Sequence, residues 1–219
     1  VYCAAMVVMA VVVFVSLYFV KAGYGMFRTR QWGWSISNKV AWVLMEAPAL
    51  AVMLACTVAA VSLFGLCGHT HDSAHSCSLP ALLLAALYLL HYTQRSFIFP
   101  FLMTGKSKMP VSIMLMGVTF NSLNALFLAW GLFLFPMDVR LFFDHGFGFP
   151  LMLSLGEWLA QPHAVAGIAI FFVGMGINLH SDHVIRHLRQ PGDTKHYLPA
   201  KGMYRYVTSG NYFGELVEW

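Results

Sequence analysis

Charge is what this 219-residue sequence lacks most. Asp, Glu, Lys and Arg make up 10% of it, against 59% hydrophobic residues, and mean hydropathy is +0.68. A soluble domain carries about 25% charged residues. There is no polar stretch long enough to bury a core of its own, and no Gly/Ser linker, low-complexity tract or internal repeat. One domain is therefore expected. Neither a GxGxxG nor a P-loop pattern occurs, which excludes the soluble nucleotide folds built on those glycines. The net charge of +4 does not call for a nucleic-acid partner.

Long apolar runs take the place of charge. About 20 apolar residues cross a bilayer, and runs of that kind stand near 1–20, 41–66, 79–103, 111–135 and 163–180, with another starting near Tyr212. The class these imply is an all-α, polytopic helical bundle in a membrane, with six spans begun and 181–211 as a loop region. The first run lacks the basic flank of a signal peptide and is read as a retained span. Eleven of the 13 Lys and Arg fall in the first, third and fifth loops; Arg140 lies in a loop on the other side and Arg95 within a span. The positive-inside rule then puts the N-terminus outside and the odd loops in the cytoplasm, in a bacterial inner membrane or the endoplasmic reticulum. Cys67 and Cys77 bracket the second loop on the outer side, where an oxidising compartment would permit a bridge. Between them HTHDSAH reads as a solvated loop rather than a metal site, because nothing orients its three imidazoles.

Ionisable groups inside spans cost about 2.5–3.5 kcal/mol near the bilayer centre, so each needs a reason. Glu46 sits roughly two turns into NKVAWVLMEAPALAVMLACTVAAVSLF, just before Pro48. It either snorkels to water or faces a cavity. The third span holds the compact polar turn His91, Tyr92, Gln94, Arg95. Tyr92 and Arg95 share a face at i, i+3, although an aromatic belt accounts for Tyr92 and snorkelling for Arg95. Asn121, Ser122 and Asn124 in the fourth span suit interhelical hydrogen bonds. In INLHSDHVIRHLRQPGD, Asn178, Asp182, Arg186 and Arg189 form one helical stripe at i, i+4, i+8, i+11, on a helix expected to stop at Pro191-Gly192. A lipid-facing collar explains the two arginines. It does not explain the amide and carboxylate deeper on the same face. Together these groups suit a polyfunctional ligand, Arg gripping phosphate and Asp accepting from a hydroxyl or amine. Asn211 and Glu215 repeat the pattern at i, i+4 before the last apolar run, followed by Glu218.

GMGINLHSDHVIRHLRQPGD and LPAKGMYRYVTSGNYFGELVEW, with WVLMEAP and LHYTQRSFIFP upstream, resemble the signature of the steroid 5α-reductases. The resemblance implies a seven-helix membrane bundle around NADPH and a lipid-like enone, and so a helix and cofactor contacts beyond Trp219. It implies that Glu46 and Tyr92 hold the substrate's 3-keto oxygen as catalytic residues. Asn178, Asp182, Arg189, Asn211 and Glu215 would line the cofactor pocket, and Lys106 would assist at a phosphate. Trp42, Phe120 and Trp219 would form apolar walls against the substrate. Met45 replaces a Gln that steroid-reducing relatives often carry before the Glu, which opens the choice of substrate. Reduction of an enone builds negative charge on its oxygen, and preplaced donors in a dry site stabilise it. Tyr92 donates directly, and Glu46 donates when protonated, as a neutral acid and a Tyr do in ketosteroid isomerase, a different protein. Reduction of an enoyl thioester or polyprenol, a membrane methyltransferase of the isoprenylcysteine type, and a non-catalytic sterol binder stay open. The expected partners are a steroid or other lipid-like enone and membrane lipid; no oligomer is indicated.

Overall fold

The computed structural model describes residues 2–20, 32–65, 77–105, 107–134, 153–188 and 197–219. Its elements are α1 (Tyr2–Phe19), β1 (Ser35–Ser37), α2 (Asn38–Phe64), α3 (Leu79–Thr93), a π-helical turn (Gln94–Ile98), α4 (Phe99–Leu102), β2 (Lys108–Pro110), α5 (Val111–Phe133), α6 (Leu155–Leu159), α7 (Pro162–Arg186), a 3-10 turn (Gly202–Arg205) and α8 (Gly210–Glu218). The protein is a helical membrane protein. Among the described residues, three helices are long and apolar enough to span a bilayer: Asn38–Leu63, Val111–Phe133 and Pro162–Arg186. Large side chains such as Phe14, Leu63, Phe101, Met116 and Val173 are exposed, as lipid-facing residues are. Cys67, and so the bridge to Cys77 that the outer side would permit, and the HTHDSAH loop lie outside the described residues.

The helices lie close together because their contact faces are small. Ala49, Ala60, Ala81, Ala85, Ala125 and Ala129 are buried around Met53 where α2, α3 and α5 meet. Small residues allow the backbone approach on which helix association in lipid depends. Met45 of α2 lies against Gly117 of α5, where a Cβ would collide with its side chain. An antiparallel ribbon of β1 and β2, in the register Ser35 to Pro110 and Ser37 to Lys108, joins the starts of α2 and α5. Asn38 N–H donates to Ser107 O (3.0 Å) and Val111 N–H to Trp34 O (2.8 Å). Both helices leave this ribbon side by side in the same direction.

Helix α3 does not continue regularly through its polar turn. Pro100 has no N–H to offer the carbonyl four residues back, and its ring would crowd that carbonyl. The chain widens instead, and Phe99 N–H reaches Gln94 O. As a result Gln94, Arg95 and Ser96 are all buried in succession, which one face of a regular α-helix does not allow. Such π-turns are frequent at functional sites.

As the sequence leads one to expect, α7 continues past 180, and Asn178 and Asp182 are held on it. It differs in stopping at Arg186 rather than at Pro191-Gly192. The reason is local: His187 leaves helical geometry, and its ring Nδ1 lies 2.8 Å from the His183 carbonyl, competing for an acceptor of the last turn. Arg189 and Lys106 lie outside the described residues.

Candidate active site

Helices α2, α3, α5 and α8 enclose a cavity of about 280 Å³, near the lower end of the 300–1,000 Å³ usual for ligand pockets. Glu46 enters it from α2, Tyr88, His91 and Tyr92 from α3, and Arg95 from the π-turn. Phe120, Asn121, Asn124 and Leu128 line it from α5, with Glu215 and Trp219 at the α8 side.

Glu46 and Tyr92 are both buried and line this one space. Asn121 fixes the acid. Its amide Nδ2 donates to Glu46 Oε2 at 3.1 Å and to the Met45 carbonyl at 2.8 Å. Of the two carboxyl oxygens, Oε1 is left for a ligand. Tyr92 is held by its rings: Tyr88 stacks on it at 4.5 Å between centroids, and His91 meets it edge-on at 5.0 Å. Phe120 and Trp219 do line the cavity, 45% and 58% exposed. Trp42 is placed differently. It packs on Phe99 at 5.2 Å and lies 5.0 Å from the Arg95 guanidinium, so it backs Arg95 rather than forming the cavity wall. Met45, against Gly117, belongs to the packing of α2 on α5.

At the α8 edge of the cavity a polar cluster is assembled from three separate segments. Asn178 Nδ2 donates to Asn211 O (3.0 Å) and to Glu215 Oε1 (3.1 Å). Asn211 Nδ2 donates to Asp182 Oδ1 (3.3 Å), and the Tyr204 hydroxyl donates to Asn211 Oδ1 (3.3 Å). Burial pushes the Tyr204 hydroxyl above its usual pKa, so it stays a donor. Arg95 bridges to the same cluster from the π-turn, 3.1 Å from Glu215 Oε1 and 3.6 Å from Asp182 Oδ2. Four of the residues expected at the cofactor, Asn178, Asp182, Asn211 and Glu215, thus lie in one place, and Arg95, which the sequence set in a polar turn but not among the cofactor residues, joins them. The signal available was its position inside the polar turn, one helical turn after His91.

The backbone contact of α7 with α8 makes this cluster possible. A Cβ on Gly174 would meet the Glu218 backbone, and one on Gly214 would meet the Asn178 backbone. The two glycines let the helices touch, so Asn178 reaches Asn211 and Glu215 directly. The sequence also missed the pair His91–Glu218, with Nδ1 and Oε1 2.8 Å apart and both side chains buried. Residues 127 positions apart carry no spacing signal.

Comparison with known proteins agrees over most of the chain. The family described as 3-oxo-5-alpha-steroid 4-dehydrogenase matches residues 107–219. The 3-oxo-5-alpha-steroid 4-dehydrogenase 1 of Bos taurus is 33% identical over 212 residues, 96% of this chain and 72% of the relative. The steroid 5-alpha-reductase DET2 of Gossypium hirsutum is 30% identical over 216 residues, 97% and 73%. The 3-oxo-5-alpha-steroid 4-dehydrogenase 2 of Sus scrofa is 29% identical over 208 residues, 93% and 70%.

Proposed function

The chain belongs to the 3-oxo-5-alpha-steroid 4-dehydrogenase family, and from that premise we propose that it reduces the Δ4 double bond of 3-oxo-steroids to give 5α-dihydrosteroids, with NADPH as the reductant. The observation that carries this reading is the convergence of the buried Glu46 and Tyr92, from two helices, on one cavity whose edge is the Arg95–Asp182–Glu215 cluster.

The Tyr92 hydroxyl donates a hydrogen bond to the 3-keto oxygen. Glu46, oriented through Oε2 by Asn121, donates from Oε1 in its protonated form. Both are buried, and preplaced donors in such surroundings stabilise the charge that grows on that oxygen. The cluster fits a nicotinamide nucleotide by its donor set: amides for the carboxamide, carboxylates for ribose hydroxyls, and a guanidinium for phosphate. Asp182 Oδ2 and Arg95 Nη1 are buried and face each other at 3.6 Å without a hydrogen bond, so each keeps hydrogen-bonding capacity. Asn178, Asp182, Asn211, Glu215 and Arg95 would hold the cofactor, with Lys106 and Arg189 at its phosphates. When bound, the dihydronicotinamide supplies the hydride that reaches C5. A proton must then reach C4.

Met45 was the departure that opened other lipid-like substrates, and its contact with Gly117 accounts for it as packing. The ribbon joining β1 to β2 supports a common side for the first and third loops, here the cytoplasm, with the N-terminus outside. The test is purified protein with testosterone or progesterone, following NADPH absorbance. Oxidation that needs both protein and steroid is expected. No steroid-dependent oxidation, together with activity on another enone, would move the reading to that enone.

A further inference from the structure

The carbonyl donors leave one requirement of the reaction unmet. Tyr92 and Glu46 both serve the oxygen, and neither supplies the proton for the α-carbon. Of the other titratable groups at the cavity, Glu215 is paired with Arg95, and His91 is the one built for proton transfer. His91 is buried, lines the cavity beside Tyr92, and lies 2.8 Å through Nδ1 from Glu218 Oε1. The other Glu218 oxygen is also buried and has no hydrogen-bond partner. An enclosed carboxylate is costly unless its partner can carry positive charge. His91 is the only such partner that Glu218 has among the described residues. Carboxylate, imidazole and reacting group in sequence form a proton carrier: the carboxylate fixes Nδ1–H and stabilises the ring when Nε2 takes up a proton. The ring itself is wedged edge-on between Tyr92 at 5.0 Å and Trp219 at 5.2 Å, so its orientation is fixed at the cavity wall.

We propose that His91, held by Glu218, delivers the proton to the α-carbon of the reduced enone. The inference rests on the enone-reduction reading above. Once the β-carbon has received hydride, the enolate electron pair forms the new C–H bond at the α-carbon as the Nε2–H bond of His91 breaks. The oxygen regains its carbonyl double bond. The ring is left neutral, with Nδ1–H still on Glu218, and water restores the proton at Nε2. Enone, hydride and proton balance to the saturated ketone.

His91→Asn separates this role from a structural one. The Asn amide can occupy the Nδ1 position and donate to Glu218, but has no atom at Nε2. A fall in kcat of about 10²–10⁴-fold is expected, the range for a lost general acid, with the thermal midpoint and NADPH affinity near those of the wild type. The solvent deuterium isotope effect on kcat should rise as proton transfer becomes limiting, and the primary effect from cofactor deuterated at the transferred hydride should shrink. A rate within a few-fold of wild type overturns the proposal, and so does a rate loss with an unchanged solvent isotope effect. If the Asn variant does not fold, Glu218→Gln keeps an acceptor for Nδ1–H without the charge and is read by the same two criteria. A wild type without steroid-dependent oxidation removes the enone reading and this role together. An active wild type with an active, folded Asn variant removes only the role of His91.

Discussion

Each polar side chain in the cavity has a neighbour that sets what it can do. Asn121 takes Glu46 Oε2 and leaves Oε1; Tyr88 and His91 fix the ring of Tyr92. We expect Glu46→Gln and Tyr92→Phe each to lower kcat about 10²–10³-fold, the usual cost of one oxyanion donor. Both should keep the wild-type thermal midpoint, and steady-state kinetics with a melting curve checks each. Arg95 differs, because it neutralises Asp182 and Glu215 in buried surroundings. Arg95→Met should cost about 3–5 kcal/mol, the penalty for leaving a buried pair without one partner, visible as a lower denaturation midpoint in detergent. Glu46 and Tyr92 were legible in the sequence because a polar group in lipid is expensive. Arg95 was not fully legible, since a long side chain has two inexpensive destinations, the interface and a buried partner, and only the fold selects one.

At the scale of elements, two local devices build the site. The π-turn before Pro100 turns Arg95 inward together with Gln94 and Ser96. The Gly174–Gly214 contact lays α8 on α7 backbone to backbone. Gly214→Ala should destabilise the protein by about 1–3 kcal/mol, as overpacking does, and weaken cofactor binding with it, since Asn178 would be pushed from Asn211 and Glu215. Gly167→Ala, on the same α7 but open to its surroundings, should be neutral or stabilising by up to about 1 kcal/mol. Denaturation midpoints of the two variants make the comparison. The long apolar helices were legible from composition. The end of α7 at Arg186 was not, because a ring nitrogen of His187 on the His183 carbonyl precedes the proline that the sequence offers as a stop.

For the whole molecule, the proposed substrate donors and the proposed cofactor cluster meet at one cavity, joined through Arg95 and Glu215. Ligand that binds only the folded state raises stability by about 2.7 kcal/mol at 100 times its Kd. NADPH should therefore raise the thermal midpoint of the wild type. Asp182→Ala should lose most of that shift while keeping the shift caused by steroid, and equal loss of both would indicate general misfolding. Thermal-shift curves with each ligand alone decide between these outcomes.

The sequence by itself determined the membrane class, the long apolar helices α2, α5 and α7 and the identity of the costly polar residues, because apolar length and the penalty of charge in lipid are properties of the chain alone. It also placed Asn178 and Asp182 on one helical face, since that follows from helix period. Only the tertiary structure decided which polar groups meet. Arg95 pairs with Asp182 and Glu215, and His91 with Glu218, because the backbones of α7 and α8 touch at two glycines and thereby bring α8 against the polar turn. That approach depends on shape across the bundle, which no spacing along the chain encodes.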